Sequence, residues 1–161
     1  MLSRKDLKTV VQFAHLTAID ILVSYQNKIL LGKRINNPAK GWLFVPGGIV
    51  QKHETYCDAF KRLSMKEFNI DLDYNRIKPN MISQHRYDNN FEDDTFGTVY
   101  NVVGVNYELT DDEYAHINID DQHEMMIWLT KEELLEREDV HYYCKRYFDP
   151  NCKDNDSVMR F

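Results

Sequence analysis

Residues Gly41–Ile70 read GWLFVPGGIVQKHETYCDAFKRLSMKEFNI, and the fold turns on how this stretch divides. Its first part, GWLFVPGG, reads as a short strand ending in a glycine pair. Glycine permits positive φ and close backbone approach, so Pro46-Gly47-Gly48 can bring carbonyls or amides against a ligand; taken alone, such a pair marks only a turn. The pattern then changes to a helix over 54–68. Tyr56, Ala59, Phe60 and Leu63 recur at i, i+3, i+4 and i+7, one stripe of a period of about 3.6 residues. At ~100° per residue from Tyr56, Glu67 falls at about 20°, inside the apolar arc. A carboxylate there is costly unless paired or bound to a metal. The alternative is that the helix frays before Glu67 or that the side chain reaches water. Glu54 and Arg62 lie outside the arc and near enough for an ion pair at the helix start, the common surface arrangement.

Outward from this helix, the segments alternate. Residues 3–13 read as a helix capped by Ser3, with Asp6 three positions on. LTAIDILVSY (16–25) is a nearly continuous apolar run with β-branched members, the pattern of a buried strand. Tyr25-Gln26-Asn27-Lys28 turns into a second strand, KILLGKR, and residues 35–41 loop through Asn37-Pro38. Further strands are expected at 81–87, 98–108 and 125–129. The capping box Thr130-x-x-Glu133 opens a helix to about Arg137, and an aromatic-rich helix is expected over 140–149. Residues 86–97 and 110–124 read as polar loops, the first suited to closing over a ligand. Strands interleaved with helices predict an α/β (α+β) fold with a mixed sheet covered by helices.

The 161 residues match one domain at ~150 residues per domain, so 1–161 is read as a single unit. Twenty basic against 26 acidic residues give a net charge of −6, a field that repels nucleic acid and anionic membranes. A phosphorylated ligand would therefore need a divalent cation or local arginines. No run approaches the ~18 apolar residues of a membrane span. The start, MLSRKDLK, lacks the apolar core of a secretory signal. The cysteines, Cys57, Cys144 and Cys152, are odd in number at unrelated spacings, which excludes a disulfide framework or cysteine zinc site. Together these predict a cytoplasmic protein.

Gly48, Glu54, Arg62, Glu67 and Ile70 stand where the Nudix box has its Gly, Glu, Arg, last Glu and final apolar residue. Leu63 and Lys66 replace two box glutamates, and Asn69 replaces the second glycine. With DLKTVV, LLGKR, Pro38 to Gln51, QHRYDNNF, DEYA…DDQH, WLT and EDVH, nearly the whole chain resembles one branch of the Nudix hydrolases, the GDP-mannose mannosyl hydrolases. That branch lacks a box glutamate and cleaves at carbon, not phosphorus.

The resemblance implies a Nudix α/β/α sandwich, a homodimer, and one Mg²⁺ per subunit held by the Gly47 carbonyl, Glu67 and Gln122. It implies hydrolysis of GDP-mannose to GDP and mannose, with inversion at the anomeric carbon. His123 matches the general base, a role that suits a group titrating near neutral pH; the plain alternative is a solvated loop histidine. Asp20, Arg34, Arg62, His85 and Tyr100 match substrate-lining positions, with Arg34 and Arg62 placed to pair phosphate oxygens bidentately. Each has an ordinary alternative: an edge-strand charge for Arg34, a surface ion pair for Arg62, a capped buried carboxylate for Asp20, and partly buried sheet residues for His85 and Tyr100. Ile49 stands where members of the branch carry an arginine, and Lys33, Lys40 and Lys52 are near enough in sequence to replace its charge. Two other readings remain open, a hydrolase of another nucleotide diphosphate sugar and a non-catalytic nucleotide-binding module.

Overall fold

The central strand is the apolar run. β1 (Leu16–Tyr25) lies parallel to β6 (Thr98–Glu108) in register from Leu16 opposite Tyr100 to Ser24 opposite Glu108. Covered on both faces, it reads as a nearly continuous apolar run, interrupted within by Asp20. The computed structural model describes residues 3–117, 126–152 and 158–161. In chain order it gives α1 (Arg4–Phe13), β1, β2 (Lys28–Lys33), β3 (Leu43–Phe44), β4 (Gly47–Ile49) and α2 (Tyr56–Phe68). There follow β5 (Lys78–Tyr87), β6, α3 (Asp111–His116), β7 (Met126–Thr130), α4 (Lys131–Glu136), α5 (Tyr142–Arg146) and β8 (Val158–Arg160).

The strands form one mixed sheet in the order β3-β2-β1-β6-β5-β8, with β4 against β1 and β7 against β2. Successive β1 side chains face opposite ways. Ile19, Ile21 and Val23 pack with Ala59, Phe60, Leu63 and Phe68 of α2. Leu22 packs on the other face with Leu134 of α4, Cys144 of α5 and Tyr147. The result is the expected α/β/α sandwich. Among the described residues no helix is long and apolar enough to cross a membrane.

The β1–β2 hairpin turns at Gln26 and Asn27, both with positive φ (47° and 63°), the backbone that matches the twist of two-residue hairpins. β2 stays beside β1 for only two residue pairs, then follows β3 and β7. The vacated edge of β1 is taken by β4, with Ala18, Ile19 and Asp20 opposite Ile49, Gly48 and Gly47. GWLFVPGG is therefore two strands, not the single strand expected. Val45-Pro46 carries the chain from one partner to the other, with the Ile21 amide donating to the Pro46 carbonyl at 2.8 Å. The sheet splits here, and the split makes the cleft described below.

α2 is capped reciprocally by Thr55 and Asp58, and Asn69 ends it at φ 55°. Asparagine tolerates this left-handed conformation, so it replaces a glycine at a C-terminal cap with little strain. Tyr56 does not join the buried stripe. It starts the helix half exposed, while Ala59, Phe60 and Leu63 are buried.

Three other expectations change. α3 lies inside the expected 110–124 loop, opened by a capping box between Thr110 and Glu113. The last helix covers only Tyr142–Arg146, because Val140 bridges to Leu43 as extended chain and the His141 amide donates to the Leu43 carbonyl. The loop after β5 is tied down on itself and on α1. Buried Asn90 accepts from the Glu92 and Asp93 amides and donates to the Asp93 carboxylate and the Phe96 carbonyl. Lys8 and Arg4 of α1 clamp Asp93 and Glu92 at 2.6 and 2.9 Å. Residues 88–97 contribute nothing to the cleft wall.

Candidate active site

The splitting of the sheet opens a cleft of about 450 Å³ whose walls come from β1, β2, the β3–β4 connection, β5, β6 and the end of α2. Its polar lining includes Asp20, Lys33, Arg34, Lys66, Glu67 and His85. One side is positively charged, and the other carries a buried carboxylate and neutral rings.

Asp20 sits on the helix-α5 face of β1. The Tyr147 hydroxyl donates to its Oδ2 at 2.6 Å, bridging 127 positions of sequence. Gly104, opposite Asp20 on β6, permits this: a Cβ there would lie 2.6 Å from Tyr147 Cε1. Burial pushes the Asp20 carboxyl up to about 7, against the opposing pull of the Tyr147 hydrogen bond and of Arg34. Near neutral pH the group can therefore donate or accept toward a ligand hydroxyl.

This shift has a sign that can be tested. The folded state holds the Asp20 proton that the unfolded chain releases near pH ~4. Asp20 thus favours folding most below that pH, and its contribution falls as pH rises to about 7. Asp20→Asn, which cannot ionise and still accepts from Tyr147, should gain stability relative to wild type by roughly a few kcal/mol between pH ~4.5 and ~8. Urea unfolding of both proteins at the two pH values measures the gap, and a constant gap would refute the ionisation cost. The buried imidazoles of His85 and His141 run the other way, losing stability below pH ~6.5. Present in both proteins, they cancel.

His85 is buried between Phe44 and Tyr143, stacked on the Tyr143 ring with centroids 4.3 Å apart, and its Nε2 shares a 2.9 Å hydrogen bond with Ser83. Burial and then the positive charge of Arg146 depress its pKa to about 3. It is a neutral polar wall at physiological pH. Tyr87 and Tyr100 stand beside it, their phenols shifted up by burial. Arg34 is aimed by its Nε donating to the Pro38 carbonyl at 2.9 Å and lies over the Phe44 ring.

Glu67 lies within α2 with only 5% of its side chain exposed, so neither fraying nor escape to water describes it. Its Oε1 is 2.7 Å from Lys66 Nζ. Across the cleft, Gly47 lies so close to β1 that a Cβ would meet the Ile19 carbonyl at 2.3 Å and Asp20 Oδ1 at 2.8 Å. Only glycine fits this close pairing. A buried carboxylate in a polar cleft that the glycine pair also lines is an oxygen ligand of the kind Mg²⁺ takes while keeping waters. Among the described residues no three His, Cys, Asp or Glu side chains cluster as a metal cage. The residues fit a hard cation that retains water.

Residues 14–150 match the family model described as NUDIX domain. The chain belongs to the Nudix family. This Nudix chain is 30% identical over 147 residues to the low-salt glycan biosynthesis protein Agl8 of Haloferax volcanii, covering 89% of this chain and 86% of that one. It is 41% identical over 71 residues to the ADP-ribose pyrophosphatase of Methanocaldococcus jannaschii, 44% of this chain and less than half (42%) of that one. A crystal structure of the MutT protein from Methanosarcina mazei Go1 superposes with a TM-score of 0.61 at 19% identity, covering 83% of this chain and 90% of that one.

The Nudix box accounts for α2 and its approach. Arg62 is not among the residues that line the cleft. It pairs with both oxygens of Glu54, and its Nη2 donates to the Ile49 carbonyl at 2.9 Å. The Gln51 amide also donates to Glu54, so these residues brace the loop behind the glycine pair. Leu63, at a box glutamate position, is in the core, and a Cβ on Gly48 would meet its Cδ2 at 2.8 Å. Asp20, Arg34, Gly47, Glu67, His85 and Tyr100 all meet in the cleft. Gln122 and His123 lie outside the described residues; Met126, the first described residue after them, pairs with the cleft residue Gly32. Sequence reading missed Tyr87, which the two-residue period from His85 on β5 points to, and Tyr147, for which no local signal exists.

Proposed function

We propose that this Nudix protein is a homodimeric, cytoplasmic, Mg²⁺-dependent hydrolase of GDP-mannose, releasing GDP and mannose by attack of water on the anomeric carbon. The observation carrying this reading is the depleted acid face of α2. One buried carboxylate, Glu67, faces the cleft, while Leu63 is core and Lys66 is cationic where other box acids stand. Attack at phosphorus needs several box carboxylates to hold more than one metal and activate water, and this helix cannot supply them. Agl8, similar along most of the chain, bears a name from glycan biosynthesis, which accords with a sugar-bearing substrate.

A metal bound by Glu67, the Gly47 carbonyl and Gln122 would act as Lewis acid, offsetting the diphosphate charge as GDP departs. Arg34 supplies a fixed guanidinium for phosphate oxygens. Asp20 and the neutral His85, Tyr87 and Tyr100 offer hydrogen bonds to sugar hydroxyls. His123 accepts the proton of the attacking water as oxygen bonds to the anomeric carbon, and the carbon–oxygen bond to the β-phosphate breaks with its electron pair leaving on GDP. Opposed attack and departure invert the anomer.

The match to an ADP-ribose pyrophosphatase favours a second reading, attack at phosphorus on a nucleotide diphosphate sugar. Turnover of GDP-mannose in ¹⁸O-labelled water separates them. Label in mannose supports carbon attack, label in phosphate establishes the second reading, and binding without turnover identifies a nucleotide-binding module.

A further inference from the structure

Among the described residues that line the cleft, Lys66 is the one cation contributed by α2. It lines the cleft wall with Lys33 and Arg34, while Lys40 and Lys52, the other lysines near Ile49 in sequence, do not. Its ammonium rests 2.7 Å from Oε1 of Glu67, and its side chain stays 58% exposed. The two neighbours on α2 thus present a buried anion and a movable cation to the same space.

We infer that Lys66 is a counterion-exchange residue: it is held on Glu67 in the free protein and becomes a diphosphate-binding cation when a metal ion takes the carboxylate. The ammonium occupies Oε1, and a divalent ion on the same carboxylate repels it at close range, which favours release of the ammonium as the metal binds. A lysine has three donors on a flexible four-carbon stem and needs no fixed fork geometry, so the released group can turn to phosphate oxygens in the same cleft. At Ile49, by contrast, the side chain offers no hydrogen bond, and Arg62, behind it, is committed to Glu54 and the Ile49 carbonyl. The cation missing from Ile49 is thereby supplied from α2. This rests on the proposed Glu67 metal site, but not on the identity of the sugar or on the atom attacked.

The test measures binding, not turnover, on Lys66→Ala, Lys66→Arg and, as a charge control, Lys61→Ala, whose lysine pairs with Asp71 on the solvent side of the same helix. Mn²⁺ affinity without nucleotide is read by electron paramagnetic resonance, and GDP affinity in saturating Mg²⁺ by calorimetry. Lys66→Ala should tighten Mn²⁺ by about 5-fold, the scale of one screened ion pair. It should weaken GDP by about tenfold, the scale of one charged hydrogen bond. Lys66→Arg should restore most GDP affinity, and Lys61→Ala should move neither constant. Opposite shifts on Lys66→Ala establish the exchange. An unchanged GDP affinity, equal effects from Lys61→Ala, or weaker Mn²⁺ binding in Lys66→Ala each overturn it. Normal GDP binding without GDP-mannose hydrolysis would refute the proposed reaction and leave the Lys66 result standing.

Discussion

Glu67→Gln should lower kcat/KM for GDP-mannose by ~10²-fold or more, because the charge compensation credited to a bound metal is several kcal/mol. Glutamine keeps the shape and volume of the side chain, so α2 should pack as before. The lysine beside it is exposed and can move to water, so loss of the Lys66 pair itself costs the fold ~1 kcal/mol. Unchanged thermal unfolding with lost activity and lost Mn²⁺ binding is the expected result. Full activity in Glu67→Gln, or in wild type with excess chelator, would end the metal assignment. Lost activity with a collapsed unfolding temperature would make Glu67 a structural residue.

Glu67 also shows what the sequence carries. A carboxylate at the angle of an apolar stripe is visible in the spacing of Ala59, Phe60 and Leu63, and the fold buries it there. The same local rules reach β1, the Gln26-Asn27 turn, and the helices opened by Ser3 and Thr130, since each is decided by a period or a cap within a few residues. α3 obeys the same rule. Thr110 and Glu113 form a capping box, but the acidic run around it hides the signal, and the helix buries none of its residues. Composition outweighed the cap.

The missed features are those set by distant partners. Pro46 splits one expected strand because β1 exchanges its neighbour there, and that exchange depends on β2 leaving for β7 nearly 100 residues later in the chain. Tyr147 reaches Asp20 only after the sheet and α5 are assembled, and its path lies over a glycine on a third element. Arg62 illustrates the same limit from the other side. Its spacing from Glu54 is legible, but whether the guanidinium faces a ligand or braces a loop depends on where β4 runs. With β4 where it runs, the guanidinium donates to the Ile49 carbonyl.

His123→Ala should lower kcat by ~10²–10⁴-fold with a small change in KM, the usual effect of removing a positioned base. The histidines inside the fold are poorly suited to that role. Burial holds His85 at about 3 and His141 at about 4, so either would be a weak proton acceptor at neutral pH. A base effective near pH ~7 needs a pKa close to that value, a range an imidazole can serve. Wild-type kcat should therefore fall on the acid side as the proposed imidazole base protonates. Asp20, pushed up to about 7, would also place a limb on the acid side, so the wild-type profile alone does not name the group. The variants separate them. If His123 is the base, the acid limb is absent from the residual activity of His123→Ala and survives in Asp20→Asn. If the limb survives in His123→Ala and vanishes in Asp20→Asn, the titrating group is Asp20. A His123→Ala enzyme that turns over at nearly the wild-type rate moves the base to Asp120, Asp121 or Glu124. The product gives an independent reading: water delivered from the face opposite GDP releases the β anomer first from an α-linked donor. Release of the α anomer would require a covalent intermediate and rule out His123 as the base for a direct displacement.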